Sequence, residues 1–323
     1  MAVHTILVGS IGRGNLGDEA MLLAALSRYG REQSLIISAN PLATSATYHC
    51  ESIGRFEWRR IWWALKNNST LVFIGGSLLQ SATSVRSLFY YVALMRLAKL
   101  AGATILLEGQ GWGPFHQAWA EGLAVYSLRW AKLVELRDPV AYERLKVLGP
   151  TIRLGLDPAF RMPVRVMPYK TLKRSVAMIL RPHRSFSDQG QKVFLDFCVA
   201  IMERWHKKLV FLPLALPEDL ALSQYFVEQL KGEGRSIELI VARDVDHAAQ
   251  VLASMELVFS MRYHGCVFAE WLQRKYIGLS YDPKVAHHCR LYRRPFLNMQ
   301  SLSLNELHYL WGQMQLEVEE PVL

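Results

Sequence analysis

Glycine-rich stretches and a few cationic positions carry most of the chemistry this sequence could do. Gly9, Gly12, Gly14 and Gly17 fall close together, with Asn15 and Asp18 among them. Gly75 and Gly76 precede Ser77, Leu78, Leu79 and Gln80, while Gly109, Gly111 and Gly113 surround Gln110. Glycine lets backbone approach a ligand closely, and a helix starting just beyond offers unpaired N–H groups to an anion. The first stretch can be fitted to a dinucleotide fingerprint, but Asn15 and Asp18 are foreign to that pattern. It also reads as a tight strand-to-helix turn with Asp18 as an acidic first-turn residue. Gln110 is either a ligand contact or an amide bracing its own loop. Arg137 precedes Asp138 and Pro139, which suit the N-cap and first position of a helix. Its guanidinium is placed for a carboxylate or phosphate, or for pairing with Asp138 or another neighbouring acid. Arg262 and His264 stand where a helix begins; together they make an anion site with a proton donor, or His264 is a structural histidine. Lys284, after Tyr281, Asp282 and Pro283, adds another cation.

The elements that must position these residues follow from hydrophobic periodicity. Short apolar runs over 5–8, 34–38, 71–74, 104–107 and 133–136 read as strands, and helical patterns cover 18–29, 87–100 and 118–131. A polar, proline-bearing stretch over 163–173 reads as a linker. Beyond it, strands over 175–180, 208–212, 237–241, 257–260 and 276–279 alternate with helices over 192–205, 219–231 and 246–253, and one after His264. This alternation predicts parallel β-α-β units. The expected fold is α/β, with two Rossmann-like doubly wound domains facing a cleft, over 1–163 and 174–323. The last helix is free to pack back on the N-terminal domain. Ligands of such sheets sit outside the carboxyl ends of the strands, where the glycine loops and cations fall.

At 323 residues the chain exceeds what one core usually supports, and 51% hydrophobic with 20% charged residues marks a globular protein. The opening residues run straight into a strand pattern rather than a secretory leader, and no apolar run approaches the roughly 18 residues of a spanning helix. Cys50, Cys198, Cys266 and Cys289 lie far apart without C-x-x-C spacing, so neither a disulfide framework nor a zinc site is expected. A reduced, cytoplasmic protein is the simplest expectation. The net charge of +9 points to anionic partners. Nucleic acid is not expected among them, since no basic run of five and no nucleic-acid motif is present.

Eight short motifs occur in one order over roughly residues 6–286. They are Asn15-Leu16-Gly17-Asp18, Gly75-Gly76-Ser77-Leu78-Leu79-Gln80, Thr83-Ser84-Val85-Arg86-Ser87, Gln110-Gly111-Trp112-Gly113-Pro114, Arg137-Asp138, Asp157-Pro158-Ala159-Phe160, Met261-Arg262-Tyr263-His264 and Tyr281-Asp282-Pro283-Lys284. Together they resemble the polysaccharide pyruvyl transferase family, most closely the branch that modifies cell-wall polymers. The resemblance implies a GT-B-like arrangement, phosphoenolpyruvate as donor and co-substrate, and an N-acetylmannosamine-type residue of a wall-polymer precursor as acceptor. The N-terminal domain would take the acceptor and the C-terminal domain the donor. Arg137, Arg262 and Lys284 would hold the donor's carboxylate and phosphate, with Asn15, Gly17, Gly76, Ser77 and Gln110 as further substrate contacts. His264 would be the proton donor or a phosphate ligand, and Asp18 the base. No cofactor or metal is called for, because three cations and two helix N-termini can neutralise the donor.

The sequence departs from the family pattern at Ser81, where an acid is expected, at Tyr263, where leucine is, and at Glu108, where an aromatic or small residue is more usual. A nucleotide-sugar glycosyltransferase and a non-catalytic sugar- or lipid-carrier-binding protein are the rival expectations. A polyprenyl-diphosphate-linked acceptor would bring the chain to the inner face of the membrane as a peripheral protein. Residues 56–66 offer a contact there: as a helix they put Trp58, Ile61, Trp62 and Leu65 on one stripe, flanked by Arg59, Arg60 and Lys66.

Overall fold

The computed structural model describes residues 4–66, 69–82, 84–166 and 174–316. Thr83 and residues 167–173 of the expected linker lie outside them. The chain divides into two compact units, Met1–Pro163 and Val164–Leu323.

In the first unit β1 (Thr5–Val8), α1 (Leu16–Tyr29), β2 (Ser34–Ser38), α2 (Pro41–Tyr48), β3 (Glu51–Gly54), α3 (Trp58–Leu65) and β4 (Thr70–Phe73) follow one another. Then come α4 (Val85–Ala101), β5 (Thr104–Gln110), α5 (Ala118–Leu128), β6 (Leu133–Leu136), α6 (Pro139–Leu145) and β7 (Ile152–Leu154). The strands form a parallel sheet in the order β3-β2-β1-β4-β5-β6-β7. Both faces are covered, which is why β1 and β2 are buried along their whole length rather than alternating. One face packs Ile6, Val8 and Phe73 against α3, α4 and α5 through residues such as Ile61, Leu88 and Ala124. The other packs Leu7, Ile36 and Val72 against Leu22 and Leu26 of α1 and Tyr48 of α2. The direction of winding reverses between β1 and β4, which marks the switch point where ligands of such sheets bind.

The second unit repeats the plan. It runs β8 (Ser175–Ile179), α7 (Asp188–Glu203), β9 (Lys208–Phe211), α8 (Leu220–Leu230), β10 (Ile237–Leu239), α9 (Val245–Ala253), β11 (Leu257–Ser260), α10 (Tyr263–Trp271), β12 (Lys275–Ser280), α11 (Pro283–Leu291), β13 (Phe296–Asn298) and α12 (Leu304–Leu316). Its parallel sheet has the order β10-β9-β8-β11-β12-β13, with the switch between β8 and β11. Phe194, Phe197, Phe226 and Phe259 fill the core with edge-to-face and tilted contacts. α12 packs on α7 inside this unit, with Trp311 buried and stacked on Trp205 at 4.8 Å.

Helix α3 also corrects an expectation. Ile61 and Leu65, half of the proposed membrane stripe, are fully buried in the core. Burying such side chains is worth about 1.5–3 kcal/mol each, so the sheet claims that face. Phe56, Trp58 and Trp63 are the aromatic residues of the segment that stay exposed.

Candidate active site

In the first unit, the loops at the carboxyl edge of the sheet are zipped to one another. Asn15 caps α1 by accepting from the Gly17 amide (3.1 Å), and its own amide donates to the buried Asp18 (2.7 Å). This fixes the orientation of the candidate base. Gly12 has a positive φ of 75°, and a Cβ there would lie 2.2 Å from Ser38 Oγ, so the turn before α1 accepts only glycine without rearrangement. Beyond β4 and β5, the Gly111 amide donates to the Gly76 carbonyl (3.0 Å) and the Arg137 amide to the Gln110 carbonyl (3.1 Å).

Two of the expected substrate contacts are engaged inside this scaffold. Gln110 is buried and its amide nitrogen donates to the carbonyls of Phe73 and Glu108, both at 3.1 Å. It braces the bulge where β5 shifts register against β6, so its amide nitrogen serves the loop rather than a ligand. The Arg137 guanidinium is buried in an ion pair with Asp157, whose other oxygen accepts from the Ala159 amide (2.9 Å). Pro158 of the same turn lies where a Cβ on Gly75 or Gly109 would have to go, at 3.1 and 2.3 Å. The Asp157-Pro158-Ala159-Phe160 motif is thus a buttress that holds Arg137 and two glycine loops in place.

Beside these loops, at the β1/β4 switch, lies a pocket of about 620 Å³. Ser77 lines it, and so do Arg13, Arg55 and Arg86. Arg55 follows β3 directly, a strand too short and polar to be recognised from its sequence, so the strand-end rule passed it by.

The second unit carries the denser set of titratable groups. Arg262 is buried at the N-cap of α10, and its Nε and Nη2 both bind Asp219, which is fully buried; Nη2 also reaches Glu218 at 2.6 Å. Burial alone would lower the Arg262 pKa, but the bonds to Asp219 and Glu218 outweigh it and raise the value. His264 follows in the first turn of α10, half-buried, with the Tyr263 ring edge-on at 5.2 Å. A Cβ on Gly265 would lie 2.2 Å from Ser260 Oγ, so glycine lets this helix start sit hard against its strand. Lys284 lies in the first turn of α11, 3.7 Å from Asp282.

Arg181 and His183 join this edge. Arg181 follows β8, donates to the Tyr281 hydroxyl (2.6 Å), and keeps a buried Nε without a hydrogen-bond partner among the described residues. His183 lies against the Tyr281 ring at 4.6 Å; burial first, then Arg181 and Arg184, hold its pKa below the usual histidine value. The same strand-end rule that singled out Arg262, applied to β8, would have found both. Arg181 and Arg262 therefore flank the β8/β11 switch, with His183, His264, Tyr281 and Lys284 beyond the same strand ends. Among the described residues, no three His, Cys, Asp or Glu side chains are grouped where they could hold a metal ion.

The sequence model of polysaccharide pyruvyl transferases matches residues 15–283. The chain belongs to the polysaccharide pyruvyl transferase family. As a polysaccharide pyruvyl transferase it has a fold shared with sugar-nucleotide enzymes of GT-B type. A putative UDP-N-acetylglucosamine 2-epimerase from Listeria monocytogenes superimposes with a TM-score of 0.69 at 13% identity, over 99% of this chain and 89% of that one. The UDP-GlcNAc 2-epimerase of Methanocaldococcus jannaschii gives 0.64 at 10%, over 96% and 92%. HepE of Anabaena in complex with UDP-glucose gives 0.61 at 11%, over 97% and 90%. A search of curated protein sequences found no significant match. The transferase's departures from the family pattern have local causes. Ser81 is buried, accepts from the His116 amide (3.0 Å) and tightens the loop over 114–117. Glu108 is buried and receives the Tyr29 hydroxyl (2.5 Å) and Arg28 (3.0 Å), tying β5 to the end of α1.

Proposed function

We propose that this transferase moves the pyruvyl group of phosphoenolpyruvate onto two hydroxyls of one sugar in a surface-polysaccharide precursor, closing a cyclic ketal and releasing phosphate. Family membership over residues 15–283 is the observation that carries the reading. The cluster of Arg181, Arg262, Lys284, His183 and His264 at the second sheet's carboxyl edge supports it, since a trianionic donor needs cations and a proton source. Protonation of C3 makes C2 electrophilic. One sugar hydroxyl adds there and gives up its proton, phosphate leaves with the C–O bonding pair, and the second hydroxyl bonds to C2 and closes the ring, its proton ending on the departing phosphate. In this scheme His264 supplies the first proton and Asp18, oriented by Asn15, accepts one from a hydroxyl. Arg262 acts with Arg181 and Lys284 on the donor's charge. Arg137 serves the donor through its buttressed position after β6. An N-acetylmannosamine-type acceptor is the sugar the motif resemblance favours. The test is inorganic phosphate release from phosphoenolpyruvate, dependent on a glycan acceptor. A nucleotide-sugar glycosyltransferase or a silent binding protein would release none, and that result ends the reading.

The acceptor's carrier would place the enzyme at the cytoplasmic face of a membrane. Among the described residues no helix is long and apolar enough to cross one. The proposed contact is peripheral and uses what α3 leaves outside the core: Phe56 and Trp63, 73% and 64% exposed, with Trp58, Arg59 and Lys66. Arg60 is left out because Glu51 and Glu57 already pair with it. Anionic lipid adds about 1 kcal/mol per nearby Lys or Arg. In liposome flotation the protein is expected to bind anionic vesicles in a salt-sensitive way, and Arg59→Glu/Lys66→Glu to abolish it. A protein that fails to float at low salt while still releasing phosphate with a soluble acceptor refutes the contact.

A further inference from the structure

The pocket at the β1/β4 switch is built differently from the edge of the second sheet. Arg13 reaches it from the β1 loop, Arg55 from the end of β3 and Arg86 from the first turn of α4. Among the described residues no carboxylate pairs with any of the three, whereas Arg137 and Arg262 are each paired. The Arg55 guanidinium lies 4.4 Å over the Tyr90 ring, which holds it in place without neutralising it, and its buried Nε has no hydrogen-bond partner among the described residues. Ser77 Oγ is buried in the same condition. The amino end of the 17-residue α4, capped by Ser84, faces the pocket with its own partial positive charge. Three guanidinium groups, a helix amino end and unmet hydrogen-bond donors define a receptor for a multiply charged anion with several acceptor oxygens.

No histidine or carboxylate is among the described lining residues, and burial raises the pKa of the two tyrosines there, Tyr90 and Tyr91, so the pocket is better made to hold charge than to move a proton. It suits a part of a substrate that does not react. Its volume exceeds what a phosphate needs and falls in the range of sugar-sized ligands. One wall is aromatic: Phe56 meets Tyr90 edge-on at 5.7 Å and continues to the exposed Trp58 at 6.5 Å.

We infer that this pocket binds a phosphoryl group, most simply a diphosphate, carried by the acceptor. The inference rests on the proposed function for the word acceptor, but the anion site itself does not. Arg13 and Arg86 are exposed and their loss leaves the core intact; Arg55 packs on Tyr90 and is tested as Arg55→Lys as well as Arg55→Ala.

The probe is inorganic pyrophosphate, titrated calorimetrically into wild type and into Arg13→Ala, Arg55→Ala, Arg55→Lys and Arg86→Ala, each with an unfolding midpoint to verify the fold. Saturable binding is expected, weakened about tenfold or more by each alanine and less by the lysine. Saturating phosphoenolpyruvate should leave it unchanged. Pyrophosphate that fails to bind wild type, or that binds the variants equally well, overturns the anion site. Pyrophosphate displaced by phosphoenolpyruvate makes the occupant the donor's phosphate and overturns the assignment to the acceptor. An enzyme that releases no phosphate yet keeps the arginine-dependent binding would sink the pyruvyl transfer and leave the site standing.

Discussion

Asp219→Ala is expected to cost the second unit about 3–5 kcal/mol, because it strands the buried Arg262 guanidinium without its main counter-charge. Asp219 is fully buried and binds Arg262 through both oxygens, while also accepting from the Ala215 amide (3.0 Å). For a unit of this size the loss corresponds to a fall in unfolding temperature on the order of 10 °C. Replacing both partners together, as Asp219→Leu/Arg262→Met, should restore much of the stability, since a buried pair exchanged for apolar groups of similar size is often close to neutral. The double variant separates two roles of Arg262. If it folds and turns over normally, the arginine is only a brace for α10; if it folds but loses donor affinity, the arginine also reads the substrate. A drop below about 1 kcal/mol for Asp219→Ala would mean that the pair does not organise this edge. Glu218, the outer partner, has its pKa lowered chiefly by the Arg262 hydrogen bond. Its contribution is therefore present above the ordinary carboxylate range and disappears as pH falls through the lowered value.

The alternation of short apolar strands with helices was legible because both sheets are buried on two faces, which forces continuous apolar runs such as Thr5–Val8 and Leu257–Ser260. The edge strands were not. Glu51–Gly54 and Ile152–Leu154 are short and partly exposed, so burial imposes little on their sequence. The strands Phe296–Asn298 and Ile237–Leu239 are equally short, and the latter was found only because it sits in a clear alternation. Missing β3 cost more than a strand, because Arg55 stands at its end. The strand-end rule did bring Arg262, His264 and Lys284 to one edge. Partners were harder to read than positions: Arg137 meets Asp157 across 20 residues and Arg262 meets Asp219 across 43. Sequence shows that an arginine stands at a strand end, but tertiary packing decides which acid reaches it. The tryptophan-rich α3 fails in a similar way, since a stripe that could face lipid and one that must face the sheet have the same 3.6-residue period.

His264→Gln is expected to slow phosphate release by roughly 10²–10⁴-fold while the protein remains folded, if the imidazole delivers the proton to C3 of phosphoenolpyruvate. Glutamine keeps the size and a hydrogen-bond donor but cannot transfer a proton, so it separates acid catalysis from phosphate binding. Position favours the first role. His264 sits in the first turn of α10, held against its strand by the close approach at Gly265, beside the cationic residues that would hold the donor. A proton donor should fail in kcat with the donor's KM little changed, whereas a phosphate ligand should fail mainly in KM. His183 provides the internal control: its imidazole lies on Tyr281 at the same edge, and its lowered pKa keeps it neutral at neutral pH. A neutral imidazole is a poor source of a proton to carbon, so His183→Gln should spare kcat relative to His264→Gln. The reverse order of losses would move the acid from α10 to the segment after β8. Near-normal kcat and KM in His264→Gln would make that histidine a packing residue beside Tyr263.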